Sequence, residues 1–218
     1  MTAPIIINID TSTIQDLYRY VLSALTEYPR SREQELELEA PALLTLSGHC
    51  ASTHHSAPKP TARSLLSLDH NQWMPPDLLN HVLSHYDRIL VQSDDLGRLI
   101  ELLRSNPETK RGVLSFWETP AGELGTEDPC LMYCLFRTTD EGLDLSAHFR
   151  GNDAVNKLLL NLDLMIGIHA YVAQMLGARV GTYIHHSDSI HVYKRDLETF
   201  RDCLSPASGH LSSPDLAY

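Results

Sequence analysis

Apolar residues recur along the chain at two spacings, which divide it into helices and strands. Ile14, Leu17, Tyr18, Val21, Leu22 and Leu25 share one helical face, and Asp10-Thr11-Ser12 ahead of them predicts the start of a helix reaching about Tyr28. Glu35-Leu36-Glu37-Leu38-Glu39 alternates strictly and predicts a half-buried strand. Between 47 and 76 the periodicity dissolves into Ser, His, Pro, Thr and Lys, which reads as a loop or insertion, either functional or disordered. Pro76-Asp77 opens a helix through Val82, Leu83 and Tyr86. Asp94-Asp95 opens another through Leu96, Leu99, Ile100 and Leu103, closed before Pro107. Residues 111–117, 131–137 and 143–149 predict strands, the last two joined by an Asp140-Glu141-Gly142 turn. Residues 153–176 form the longest apolar segment, with Gly167 as its one interior glycine, and predict a buried central helix closed by Gly177. A strand over 180–184, an amphipathic helix over 194–203 and a loose tail after 205 complete the chain. The fold class is α+β: one domain over residues 1–218, with a mostly antiparallel sheet packed on helices.

Composition narrows the functions. With 218 residues, 43% of them hydrophobic, the chain can bury a full core. A net charge of −11 argues against a nucleic-acid partner, although a few local arginines suffice for one phosphate. Apolar runs such as Leu158-Leu159-Leu160 are too short to span a bilayer, so no membrane is expected. Met1 to Ile7 lacks a basic segment and Asp10 follows at once, so no secretion signal is expected. Cys50, Cys130, Cys134 and Cys203 read as free thiols in a reducing cytoplasm.

Candidate chemistry concentrates in Pro129-Cys130, Arg150-Gly151-Asn152-Asp153, Asn161 and His191-Val192-Tyr193. A thiol, a guanidinium, a carboxylate, an amide and a His/Tyr pair are what a protein needs to hold a nucleotide and attack its base. Each has a plainer reading. Cys130 can be a small buried hydrophobe, as Cys134 is taken to be. Arg150 can pair with a surface acid, and His191 with Tyr193 can be a satisfied polar pair. Lys110 and Arg111 can be a solvated turn. Asn161 and Asp163 lie in an apolar helix and must find partners there, from ligand or protein. His49, Cys50, His54 and His55 fit no regular zinc spacing, and His185-His186 reads as a strand end, so no metal is expected.

In order and spacing, the block from Leu96 to Tyr193, about half the chain, resembles the thymidylate synthase and pyrimidine-nucleotide hydroxymethylase superfamily. A helix ending at Pro107 is followed by the basic pair Lys110-Arg111 and a strand bearing Trp117. Pro129-Cys130 and the Arg150 motif come next, then Asn161 eleven positions after Arg150, and finally His191-Val192-Tyr193. The resemblance implies a thymidylate-synthase-like fold and a cytoplasmic homodimer acting on a pyrimidine nucleoside monophosphate. Cys130 would be the nucleophile. Arg150, with Lys110 and Arg111 of the partner chain, would bind the phosphate. Asn161 would read the base, and His191 and Tyr193 would hold the sugar; Asp163, two residues past Asn161, either caps a polar network or tunes selectivity toward an amino-bearing base such as cytosine. Asp153 and Trp117 would contact 5,10-methylenetetrahydrofolate, the implied donor.

The chemistry explains the residue types. Thiolate addition at pyrimidine C6 makes C5 nucleophilic toward a one-carbon unit, and neighbouring cations keep the thiol ionised. Departures from the family pattern also stand out: Leu131 replaces a His, Gly151 a Ser and Lys157 a Gly. No proton-relay acid is evident, and with 25 residues after Tyr193 no folate lid is expected. The expected reaction is therefore C5 methylation or hydroxymethylation. The alternative is a nucleotide-binding or interaction protein of reduced catalysis on the same fold, and a Cys-dependent nucleotide hydrolase is a weaker third.

Overall fold

The computed structural model describes residues 4–10, 13–28, 34–47, 59–117 and 129–204. In chain order these form β1 (Ile5–Asp10), α1 (Ile14–Leu25), β2 (Leu36–Ser47), α2 (Pro76–Asp87), α3 (Asp95–Ser105), β3 (Val113–Ser115) and β4 (Leu131–Thr138). β5 (Leu143–Phe149), β6 (Asn152–Asp153), α4 (Leu158–Leu176), β7 (Val180–Tyr193) and α5 (Leu197–Leu204) follow. The strands make one mixed sheet in the order β1-β2-β7-β5-β4-β3, with β6 on β7. Antiparallel pairing covers most of it, and β1–β2, β5–β7 and β6–β7 run parallel.

α1 begins at Thr13, whose hydroxyl accepts the Asp16 N–H at 3.2 Å, and it buries Leu17, Tyr18, Val21, Leu22 and Leu25 as the periodicity predicts. Asp10, the first residue of the expected Asp10-Thr11-Ser12 start, instead ends β1, a strand the sequence reading did not assign. A run as short as Ile5-Ile6-Ile7 shows no period, and its β-branched residues are the only strand signal it carries. β2 runs past the alternating Glu35–Glu39 stretch to Ser47. It tolerates Pro41 because the ladder to β7 is irregular between Ala40 and Ala42, where no amide donor is needed.

α4 is the central helix. Every residue from 158 to 173 is buried, so the helix is enclosed all round rather than on one stripe. It is long and apolar enough to cross a bilayer, more than the leucine run suggested, but 89% of that window is buried inside the protein. It starts at Leu158 rather than Asp153, because Asn152 and Asp153 pair with Ile190 and His191 of β7. Gly177 closes it in the left-handed conformation expected of a terminal glycine, with φ 66°.

Residues 59–75 are irregular with two short 3-10 turns, and they are fastened to α4. Asp163 accepts from the Ser67 hydroxyl (2.5 Å), the Ser67 and Leu68 amides (3.1 and 3.0 Å) and His70 Nε2 (2.9 Å). A Cβ at Gly167 would collide with the Leu65 carbonyl, which explains the glycine inside a buried helix. β3 is shorter than the 111–117 expectation. β7 is much longer than 180–184, because its polar residues keep the strand alternation that an apolar count misses: Tyr183, His185 and Ser187 are buried.

Candidate active site

A cleft of about 520 Å³ opens where the sheet's functional strand ends converge. Cys130 enters it just before β4, Arg150 and Gly151 just after β5, Asp153 from β6, and His191 and Tyr193 from β7. Five sequence-assigned residues, far apart in the chain, are thus brought together. The two segments bearing thiol and guanidinium are tied to each other. The Arg150 amide donates to the Cys130 carbonyl at 3.0 Å, and Arg150 Nε donates to the Pro129 carbonyl at 3.3 Å. The Arg150 guanidinium also lies 5.8 Å from the Trp117 ring, a cation–π contact that places Trp117 behind the arginine rather than on the cleft wall. Cys134, by contrast, is fully buried against Met165, and burial drives its thiol pKa far up, as befits a structural cysteine.

Asp153 is held by its own turn. Its Oδ1 accepts the Val155 and Asn156 amides (3.1 and 3.0 Å) and its Oδ2 accepts Asn156 Nδ2 (2.9 Å). Tyr193 stays a neutral phenol: partial burial raises its pKa, Asp153 adds to this, and the Arg195 guanidinium 4.3 Å from its ring opposes it. His191 meets Tyr193 edge to face at 5.1 Å. Ser189 donates its hydroxyl to Glu39 at 2.7 Å, so its oxygen can only accept from His191 Nδ1 at 3.2 Å. This chain fixes the tautomer of a neutral His191.

Asn161 and Asp163 do not line the cleft. Asp163 is turned to the 67–70 segment. Asn161 sits in a buried polar chain beneath the site: Tyr86 donates to Asn161 Oδ1 (2.9 Å), Asn161 Nδ2 to Asn152 Oδ1 (2.6 Å), and Asn152 Nδ2 to His185 Nε2 (2.9 Å). His185 Nδ1–H then donates to the Tyr183 hydroxyl at 2.7 Å. Burial, with His186 beside it, lowers the His185 pKa to about 3, so the ring is neutral as this chain requires. His185 is therefore a core residue in mid-strand and not a strand end. Lys110 and Arg111 are exposed after α3 and also lie off the cleft. His49, Cys50, His54 and His55 lie outside the described residues.

The sequence reading missed several cleft residues: Leu78, Asn156, Arg195 and Asp196, with Lys157 noted only as a departure. Arg195 and Asp196 follow Tyr193 after Lys194, and recognising β7 as one long strand would have extended the site to them. Leu78 arrives from α2 with no sequence signal. The Glu39-Ser189-His191 chain required knowing that β2 lies beside β7.

A family model described as thymidylate synthase matches residues 79–217, more than half of the chain. A putative thymidylate synthase of Methanosarcina barkeri is 31% identical over 105 residues, covering 48% of this chain and 48% of that protein. The deoxyuridylate hydroxymethyltransferase of Pseudomonas phage M6 is 32% identical over 108 residues, covering 48% of this chain and 31% of the phage protein. A thymidylate synthase of Clostridium beijerinckii is 22% identical over 146 residues, covering 67% and 55%. The chain thus spans about half the length, or less, of these curated relatives. Thymidylate synthase A of Bacillus subtilis superposes with a TM-score of 0.64 at 17% identity, covering 88% of this chain and 84% of that one, which establishes the shared fold. Taken with the ordered Cys130, Arg150 and His191–Tyr193 cleft, the match places this chain in the thymidylate synthase family.

Proposed function

We propose that the protein is a C5 one-carbon transferase acting on a pyrimidine nucleoside monophosphate through Cys130. The observation that carries this reading is the fastening of Cys130 to Arg150 at the mouth of a nucleotide-sized cleft. A phosphate bound at the Arg150 guanidinium brings the base within range of the thiol. Sulfur adds to C6, the C5–C6 π electrons move to C5, and C5 becomes nucleophilic toward an electrophilic one-carbon unit. His191, with its tautomer fixed through Ser189 and Glu39, and the Tyr193 phenol are placed to hold the sugar. Asn161, one layer below, keeps one amide hydrogen and one acceptor position beyond those used by Tyr86 and Asn152. It can still read a base that displaces little.

Asp153 is the proposed folate contact, and Trp117, off the cleft wall, would bear on the site only by backing Arg150. Asp153 Oδ2 accepts one bond where a carboxylate oxygen has room for two, so an acceptor position remains for a pterin N–H. When bound, 5,10-methylenetetrahydrofolate supplies carbon at the formaldehyde level. The similarity to a phage deoxyuridylate hydroxymethyltransferase favours hydroxymethylation over methylation. Homodimerisation, with the partner's Lys110 and Arg111 completing the phosphate site, is part of the same proposal, since both residues lie off their own chain's cleft.

Tritium release tests the reaction without a donor. Addition of the thiolate at C6 followed by protonation at C5 and elimination exchanges the C5 hydrogen with water. [5-³H]dUMP or [5-³H]CMP should therefore lose label to solvent. If either nucleotide raises the melting temperature and no label is released, the transferase reading fails and the second one stands: a nucleotide-binding protein of reduced catalysis. Leu131 in place of His, and the side chain of Asn161 turned into the core network, are what favour that second reading.

A further inference from the structure

The outer face of the sheet carries a cluster that the cleft does not use. In register across three strands lie His186 of β7, His148 of β5 and Tyr133 of β4. Asp188, two residues along β7, points to the same face. His148 Nε2 is 3.2 Å from Asp188 Oδ2 and 3.2 Å from His186 Nδ1, while His148 Nδ1 is 2.9 Å from His186 Nδ1. Both imidazoles are half-buried and Asp188 is exposed, and one ligand atom from each residue lies within 4.8 Å of the others.

We propose that His148, His186 and Asp188 form a binding site for a zinc-class divalent cation. Four-coordinate zinc with bonds of about 2.0 Å to nitrogen and oxygen sets its ligand atoms about 3.3 Å apart, and two of the three spacings here already have that length. Two imidazoles and one carboxylate are the donors that late first-row ions prefer over magnesium or calcium, and three protein ligands leave the fourth position to water. The outer partner is also present: with Nε2 on the ion, His148 Nδ1–H donates to the Tyr133 hydroxyl at 3.3 Å, which fixes the ring. Sequence spacing conceals the site, because its ligands come from two strands adjacent only through the parallel β5–β7 pairing. A bound ion would cross-link β5 two residues before Arg150 to β7 three residues before His191.

The rival arrangement is a hydrogen-bonded relay in which His186 donates to His148 and His148 to Asp188. The two differ in titration of the chelator-treated full chain with Zn²⁺ and with Co²⁺. The proposal expects one equivalent per chain retained through desalting, and the strong visible absorption of four-coordinate Co²⁺. The double variant His148→Ala/His186→Ala should lose both signals, and Tyr133→Phe should weaken binding roughly 10-fold. A His54→Ala/His55→Ala variant should bind as the parent does. Absence of stoichiometric binding by the parent, or its persistence in the double variant, overturns the site. Should the double variant fold poorly, Asp188→Asn decides: the Co²⁺ spectrum must change to that of a weaker, more hydrated ion, and an unchanged spectrum sinks the proposal.

Discussion

Cys130 and Arg150 are twenty positions apart in sequence and adjacent in space, the Arg150 amide bonded to the Cys130 carbonyl and its Nε to the Pro129 carbonyl, so substituting either one tests a different part of the site. Cys130→Ser replaces a good nucleophile by a poor one of similar size. Tritium release from C5 should fall to background while dUMP affinity, measured by calorimetry, stays within a few-fold. Arg150→Lys keeps the charge but loses the planar fork and the bond to Pro129, and should weaken nucleotide binding about tenfold. Five cleft residues were identifiable from their types and order alone, because chemistry restricts which side chains can do these jobs. Asn161 and Asp163 show the limit of that reasoning. Both were flagged as polar groups in an apolar helix that must find partners, and the partners turned out to be Asn152 and Tyr86, and Ser67, Leu68 and His70. No sequence separation indicates that residue 67 or 86 will face α4.

The elements themselves were readable where their period was long and their apolar count high, as in α1, α2, α3 and α4. They were not readable where polar residues carried a strand, as in β7, or where a strand was a short run with no period, as in β1. The junction of α4 with residues 59–75 is where stability should be most sensitive. Asp163→Ala strands two amides, a hydroxyl and His70 together, and should cost about 3 kcal/mol in urea unfolding. Gly167→Ala pushes a methyl into the Leu65 carbonyl and should cost about 1–3 kcal/mol although it adds apolar surface. His185 links the core to pH. Folded, its pKa is lowered to about 3, against 6.5 when unconstrained, so between these values the unfolded chain binds the extra proton. Its contribution to stability is complete above pH 6.5 and is lost progressively as pH falls toward 3. In chelator-treated protein, His185→Gln should flatten the acid limb of stability against pH, by at most about 1.4 kcal/mol per unit.

For the assembled protein, the proposed sharing of sites between subunits has a direct readout. Cys130→Ser and Arg111→Ala chains, each inactive alone, should recover activity when mixed under exchange conditions. Only the mixed dimer holds one site with both groups, giving roughly a quarter of the parental sites. No recovery would mean that Arg111 acts within its own chain or not at all. A last consequence concerns β7, the longest strand. Along it His185 faces the core network, His186 the outer face, and His191 the cleft. Three unrelated demands are thus carried by one strand whose odd-even count shifts by one at the irregularity between Ser187 and Ile190, where burial passes from 183, 185 and 187 to 190 and 192. A single-residue insertion between Ser187 and Ile190 would leave the first two histidines in place and turn His191 to the wrong side of the sheet. A one-residue deletion before Tyr183 would exchange the neutral core imidazole for the half-buried one of the outer face. Length variation among natural relatives should therefore be purged from this strand more strictly than residue identity, and indel scanning of β7 should give a sharper boundary than substitution scanning.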